Sequence, residues 1–161
     1  NKEEMMFDLP VVNAFSSSAV TILKSYCRTG VSKGDVIVKN SFSPLMGVGV
    51  FIGITGMLDT KLMLDMEKDT AFNLASKLNE ETIDSIDDIF IATVKEFANM
   101  VAGGAINELS TRGIDLDMTT PTLFMGEHMS IVEKANEEIL VINYDTDIGC
   151  IAMNLIIKKK R

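Results

Sequence analysis

The stretch that decides the reading is KEFANMVAGGAINEL, residues 95–109. At about 100° per residue, Phe90, Val94, Phe97, Ala98, Val101 and Ala105 fall on one side of a helix. Ala92, Glu96, Asn99, Gly103 and Asn107 fall on the other. The apolar stripe predicts a helix packed on a core. The opposite face carries a carboxylate and a carboxamide among small residues, so another protein's backbone or side chains can come close. Asparagine and glycine are poor helix formers, and their presence in mid-helix asks for a reason. Glu96 and Asn99 lie about 60° apart around the axis, within one turn, so both can face one cleft. Spacing alone is weak support, because short motifs recur by chance. A second Glu-x-x-Asn occurs at Glu133–Asn136, in the polar stretch EKANEE between strand-like segments, and reads as coincidence. Without context, a solvated helix face is the plainer account of Glu96 and Asn99.

Working outward, the long helix is expected from about Ser85 to Ser110, with Gly113 beyond its end. Before it, Asp69 is placed to cap a short helix running to about Leu78, and residues 79–84 form a polar turn. Asp8 is placed to cap a first helix from Pro10 to Cys27, ended by Thr29-Gly30. Its apolar positions Val11, Ala14, Phe15, Ala19, Ile22, Leu23 and Tyr26 follow helical spacing. Asp35–Lys39 is short and β-branched. Val48–Thr55 and Lys61–Met66 read as a hairpin across GMLDT. After the long helix, Thr122–Met125 and Ser130–Glu133 are strand candidates. Glu138–Tyr144 and Gly149–Ile157 form a terminal hairpin around Asp145–Asp147. The order is helix, strands, two helices, strands. It predicts an α+β fold, a mainly antiparallel sheet covered by helices, as one domain over residues 1–161.

Composition narrows the function classes. A chain of 161 residues, 47% hydrophobic and 24% charged, can bury a sizeable core. The net charge of −8 argues against nucleic acid, which needs a basic surface. The one dense basic run, Lys158–Arg161, is read as blunting a strand end. No unbroken apolar run reaches the ~18 residues that cross a bilayer, and NKEEMMFDLP lacks signal-peptide character. Cys27 and Cys150 are far apart and suggest neither zinc nor a disulfide framework, which fits a cytoplasmic protein. His128, the only histidine, sits in GEHMS and reads as solvated rather than catalytic. GVGVFIGITG lacks the lysine and helix start of a phosphate loop and reads as strand. The 11 methionines read as core filler.

Several segments in order carry a family likeness. EFANMVAG at 96–103 resembles the signature helix of the CheC/CheX/FliY family of chemotaxis phosphatases. Ile52–Gly56 (IGITG) precedes it among strands, TAFNLAS at 70–76 forms the short helix before it, and Thr120–Gly126 (TPT-x-x-x-G) follows it. The likeness covers nearly the whole chain. A single signature helix per chain resembles the CheX members; CheC-like members carry two. The residue before the glutamate, often glycine in the family, is Lys95 here.

The resemblance implies a CheX-like fold and hydrolysis of the aspartyl phosphate on a phosphorylated CheY-type response regulator. It implies that Asn99 orients the attacking water and that Glu96 pairs with the regulator's phosphate-contacting lysine. Ala92, Gly103 and Asn107 would then belong to the partner-binding face. The chain would hold no cofactor or metal of its own, magnesium being held by the regulator. It further implies a homodimer joined through its sheets, and the long apolar C-terminal strands are the expected edge. The competing readings are a receiver-docking module of the chemotaxis or flagellar switch system without hydrolysis, and an interaction protein whose Glu96 and Asn99 are plain surface.

Overall fold

The computed structural model describes residues 2–39, 45–130 and 137–158. In chain order the elements are α1 (Lys2–Ser25), β1 (Val31–Lys33), β2 (Ile37–Lys39), β3 (Val48–Gly56), β4 (Thr60–Met66), α2 (Lys68–Asn79), α3 (Asp88–Thr111), β5 (Leu116–Met118), β6 (Thr122–Met125), β7 (Glu137–Thr146) and β8 (Gly149–Lys158). Every strand pairing is antiparallel, in the order β1-β7-β8-β4-β3-β5, with β2 also on β7 and β6 also on β3. The α+β expectation therefore holds.

The pleat sorts the core. Val48, Val50, Ile52 and Ile54 alternate along β3 toward the helices. They join Leu62, Leu64, Met153 and Leu155 from the central strands and the apolar stripes of all three helices. On the other side of the sheet Met63, Ile139, Val141, Ala152 and Ile156 form a smaller cluster with Leu45. Strands β4 and β8 are thus buried on both faces, which is why they read as apolar runs and not as alternation. Asp65, on this second side, accepts from the Met46 N–H at 3.1 and 3.2 Å; burial pushes its carboxyl up to about 6.

Several expectations need correction. Asp8 lies inside α1, not at its cap: Pro10 removes one backbone bond without ending the helix. The helix closes at Ser25 and its left-handed residue is Arg28, with φ of 50°, not Gly30. Glu67, not Asp69, occupies the N-cap of α2, with no side-chain bond; Asp69 sits in the first turn, where its charge suits the helix end. The strands β1 and β5, three residues each, were too short to show periodicity. Met57 and Met118 are exposed, not core filler.

The C-terminal hairpin is not an edge. Strand β8 lies between β7 and β4, and β7 is covered by β1 and β2. The edges are the short strands β1 and β2 at one end and β5 and β6 at the other. Lys158 belongs to β8; Lys159–Arg161, Ile131–Glu133 of the suggested strand, and the second motif Glu133–Asn136 lie outside the described residues. Among the described residues only α3 has the length and apolar content to cross a bilayer. Its apolar side is packed on the core.

Candidate functional site

Helix α3 is fixed at both ends. Asp87 caps it, its carboxylate accepting from the Phe90 N–H at 2.9 Å. At the far end the Gly113 and Ile114 N–H groups donate to the Ser110 and Leu109 carbonyls, both at 3.0 Å. Between the ends α3 packs against α1, α2 and the sheet. Phe90, Val94, Phe97, Ala98, Val101 and Ala105, the stripe read from the sequence, are all buried, joined by Ala102 and Leu109. The Phe72 and Phe90 rings meet at 4.8 Å between α2 and α3. The buried Ser18 hydroxyl of α1 donates to the Val101 carbonyl at 2.7 Å. Asn79 links α2 to Thr93 of α3 at 2.9 Å. These contacts fix the rotation of α3, and so decide which residues point outward.

The outward residues are the expected ones. Ala92, Glu96 and Asn107 are exposed, and Asn99 and Gly103 are half-buried. All five lie along one strip, about 22 Å from Ala92 to Asn107 at 1.5 Å per residue. Among the described residues neither Glu96 nor Asn99 has a hydrogen-bond or ion-pair partner, and Lys95 does not pair with Glu96. A Cβ placed on Gly103 would meet nothing within 4 Å. A carboxylate can accept from a cation there, and a carboxamide can donate and accept at once. Among the described residues no group of His, Cys, Asp and Glu converges as a metal site. His128 is exposed, in a bend with φ of 57°. Burial pushes the Cys27 thiol up to about 11, which makes it a poor nucleophile at neutral pH.

One feature at the C-terminal end of the strip was not foreseen. A cleft of about 560 Å³ opens between α3, the β3–β4 turn and the start of β5, and Asn107 is among its walls. The sequence signal for it was faint: an apolar Met57 in a turn.

The model of the family described as Chemotaxis phosphatase CheX matches residues 48–145, from the start of β3 to one residue short of the end of β7, with α3 inside. The chain belongs to the CheX family. The CheY-P phosphatase CheX of Thermotoga maritima is 23% identical over 125 residues, 77% of this chain and 81% of that protein. A chain in the crystal structure of the CheX–CheY–BeF3–Mg2+ complex from Borrelia burgdorferi is 28% identical with a TM-score of 0.78, covering 92% of this chain and 97% of that one. A CheC-like superfamily protein from Shewanella sp. PV-4 is 26% identical with a TM-score of 0.81, covering 91% and 96%. The resemblance read from EFANMVAG thus led to the right family, and this CheX-family chain keeps a single helix of that kind among its described residues.

Proposed function

We propose that this CheX-family phosphatase hydrolyses the aspartyl phosphate of a phosphorylated CheY-type response regulator through Asn99 and Glu96, ending a chemotaxis signal. The observation that carries the site assignment is the strip on α3. It presents a carboxamide and a carboxylate, neither engaged within the described chain, on a helix whose rotation is locked by its buried side.

The chemistry suits those two groups. Phosphoryl transfer asks for in-line positioning and charge stabilisation more than for covalent chemistry. An acyl phosphate is already a reactive bond, and the regulator supplies its own divalent cation; Mg2+ and BeF3 accompany CheX and CheY in the Borrelia burgdorferi complex. What this chain adds is a held water. The Asn99 carboxamide can accept from that water while donating to a phosphoryl oxygen, so the nucleophile is oriented with no proton leaving the side chain. Glu96, one turn away, gives a charge-assisted bond to the regulator's lysine and sets the register of docking. Ala92, Gly103 and Asn107 form the surrounding contact face, with Gly103 leaving room beside Asn99.

We read the chain as one cytoplasmic domain over residues 1–161 that works as a homodimer. The sheet edge at β2, which pairs with β7 alone among the described strands, supports the dimer: Val36, Ile37 and Val38 are 46%, 43% and 58% exposed. An apolar edge strand of that kind is a template for pairing with a second copy.

The test is the decay of a phosphorylated CheY-type receiver in magnesium, with and without the protein and its Asn99→Ala variant. Accelerated decay that is lost in the variant supports the assignment. Binding to the phosphorylated receiver without acceleration by the wild type would make the chain a docking module instead.

A further inference from the structure

The cleft beyond the catalytic strip is a built feature. The Met57 N–H donates to the Asp115 carbonyl at 3.1 Å, and the Asp115 N–H donates to the Met57 sulfur at 3.3 Å. Gly56, with φ of 106°, allows this approach: a Cβ there would stand 2.7 Å from the Asp115 carbonyl oxygen. The turn is thereby clamped to the start of β5. The apolar part of the lining is Met57, Ile106 and Leu116, and the polar rim is Asn107, Asp115 and Asp117. Met57 is 56% exposed, and Met118, two residues beyond Leu116 and on the same side of the strand, is 40% exposed.

The cleft is also continuous with the strip. Ile106 lies seven residues beyond Asn99, two turns along the same stripe and about 10 Å away along the axis. Asn107 belongs to both. A domain seated over Glu96 and Asn99 would therefore reach the cleft without spanning any other element.

We propose that this cleft is a second docking point for the phosphorylated receiver, taking an apolar side chain flanked by a cationic one from a loop beside the phosphorylation site. The assignment of this occupant rests on the function proposed above. The apolar group fills the space among Met57, Ile106 and Leu116, and the cation faces Asp115 and Asp117, in keeping with a chain of net charge −8. Glu96 and Asn99 alone are two polar points on one helix. A point two turns away adds affinity that the bound receiver keeps through the reaction, so it bears on KM and not on kcat.

The experiment measures binding of a beryllofluoride-activated CheY-type receiver, in magnesium, to the full chain and to Met57→Lys and Asp117→Lys. Asp117 is exposed and outside the clamp, so Asp117→Lys should melt at the wild-type value; Met57→Lys keeps the backbone bond to Asp115 but loses the sulfur contact, so its melting temperature should fall slightly. We expect roughly tenfold weaker binding for each, and a KM for the phosphorylated receiver raised by a similar factor with kcat within about twofold. Wild-type affinity in both variants would overturn the second docking point, whether or not the wild type hydrolyses the phosphate. Loss of acceleration in the wild type with the variants still binding more weakly would leave the docking point standing and overturn hydrolysis alone.

Discussion

The two sides of α3 differ in what their residues contact. On the inner side every position is engaged: Phe90 against Phe72, Val101 against Ser18, Phe97 and Ala105 in the main cluster. On the outer side the polar groups at Glu96 and Asn99 have no partner within the described chain. On the function proposed above, one element serves as both keel and working surface, and the inner contacts hold the outer ones in place. If that division is right, inner substitutions should change stability and outer ones should change turnover.

The largest expected effect is on the inner side. Phe97 is 1% exposed, and Phe97→Ala should cost about 3–5 kcal/mol by leaving a cavity under α3. A urea titration followed by circular dichroism measures it. Next comes Asn99→Ala, which should slow receiver dephosphorylation by about 100-fold or more, near 3 kcal/mol of lost transition-state stabilisation, with an unchanged melting curve. Glu96→Ala should chiefly weaken receiver binding. A large melting shift for Asn99→Ala would make that residue structural and erase the division between the two sides of α3.

The same division explains what the sequence disclosed. The stripe from Phe90 to Ala105 was legible because about four turns of one helix repeat the signal, and the outer five residues followed by subtraction. The two long hairpins were legible from β-branched runs. What escaped was short or cooperative. Strands β1 and β5 hold three residues each and exist because β7 and β3 offer them partners. The exit of α1 falls on Arg28 because the Thr29 hydroxyl accepts from the Asp147 N–H in the β7–β8 turn, a contact across 118 positions. The cleft left only the faint signal of Met57 in a turn, since Met57, Ile106 and Leu116 come from a turn, a helix and a strand far apart in the chain.

Acidity separates the two regions in another way. Burial raises the Asp65 carboxyl from 3.8 to about 6, so between those values the folded chain holds a proton that the unfolded chain has lost. Folding stability is then highest, as far as this group goes, below about pH 4, and falls as pH rises through about 6. The fall should be about 3 kcal/mol and should flatten in Asp65→Asn, as chemical denaturation at several pH values would show. The Asn99 carboxamide does not titrate in this range. Turnover at saturating phosphorylated receiver should therefore be the same in Asp65→Asn as in the wild type at each pH at which both are folded. A turnover profile changed by Asp65→Asn would couple the far side of the sheet to the site.

The finest test uses adjacent glycines. A Cβ on Gly104 would clash with the Ser18 hydroxyl, which is buried and bonded to Val101; a Cβ on Gly103 would touch nothing. Alanine at either position gains up to about 1 kcal/mol of helix propensity. At Gly104 the gain is set against the loss of the Ser18 bond, about 1–3 kcal/mol, so Gly104→Ala should lower stability by about 1 kcal/mol. Pairing it with Ser18→Ala removes the hydroxyl from the clash and should recover much of that loss. Gly103→Ala should instead stabilise the chain slightly, and any penalty should appear only against the phosphorylated receiver, as a few-fold rise in KM if the partner's backbone passes close to that point. Gly103→Ala with higher stability and unchanged KM would mean that the partner clears α3 there, leaving Glu96, Asn99 and the cleft as separate points of contact and not one continuous seat.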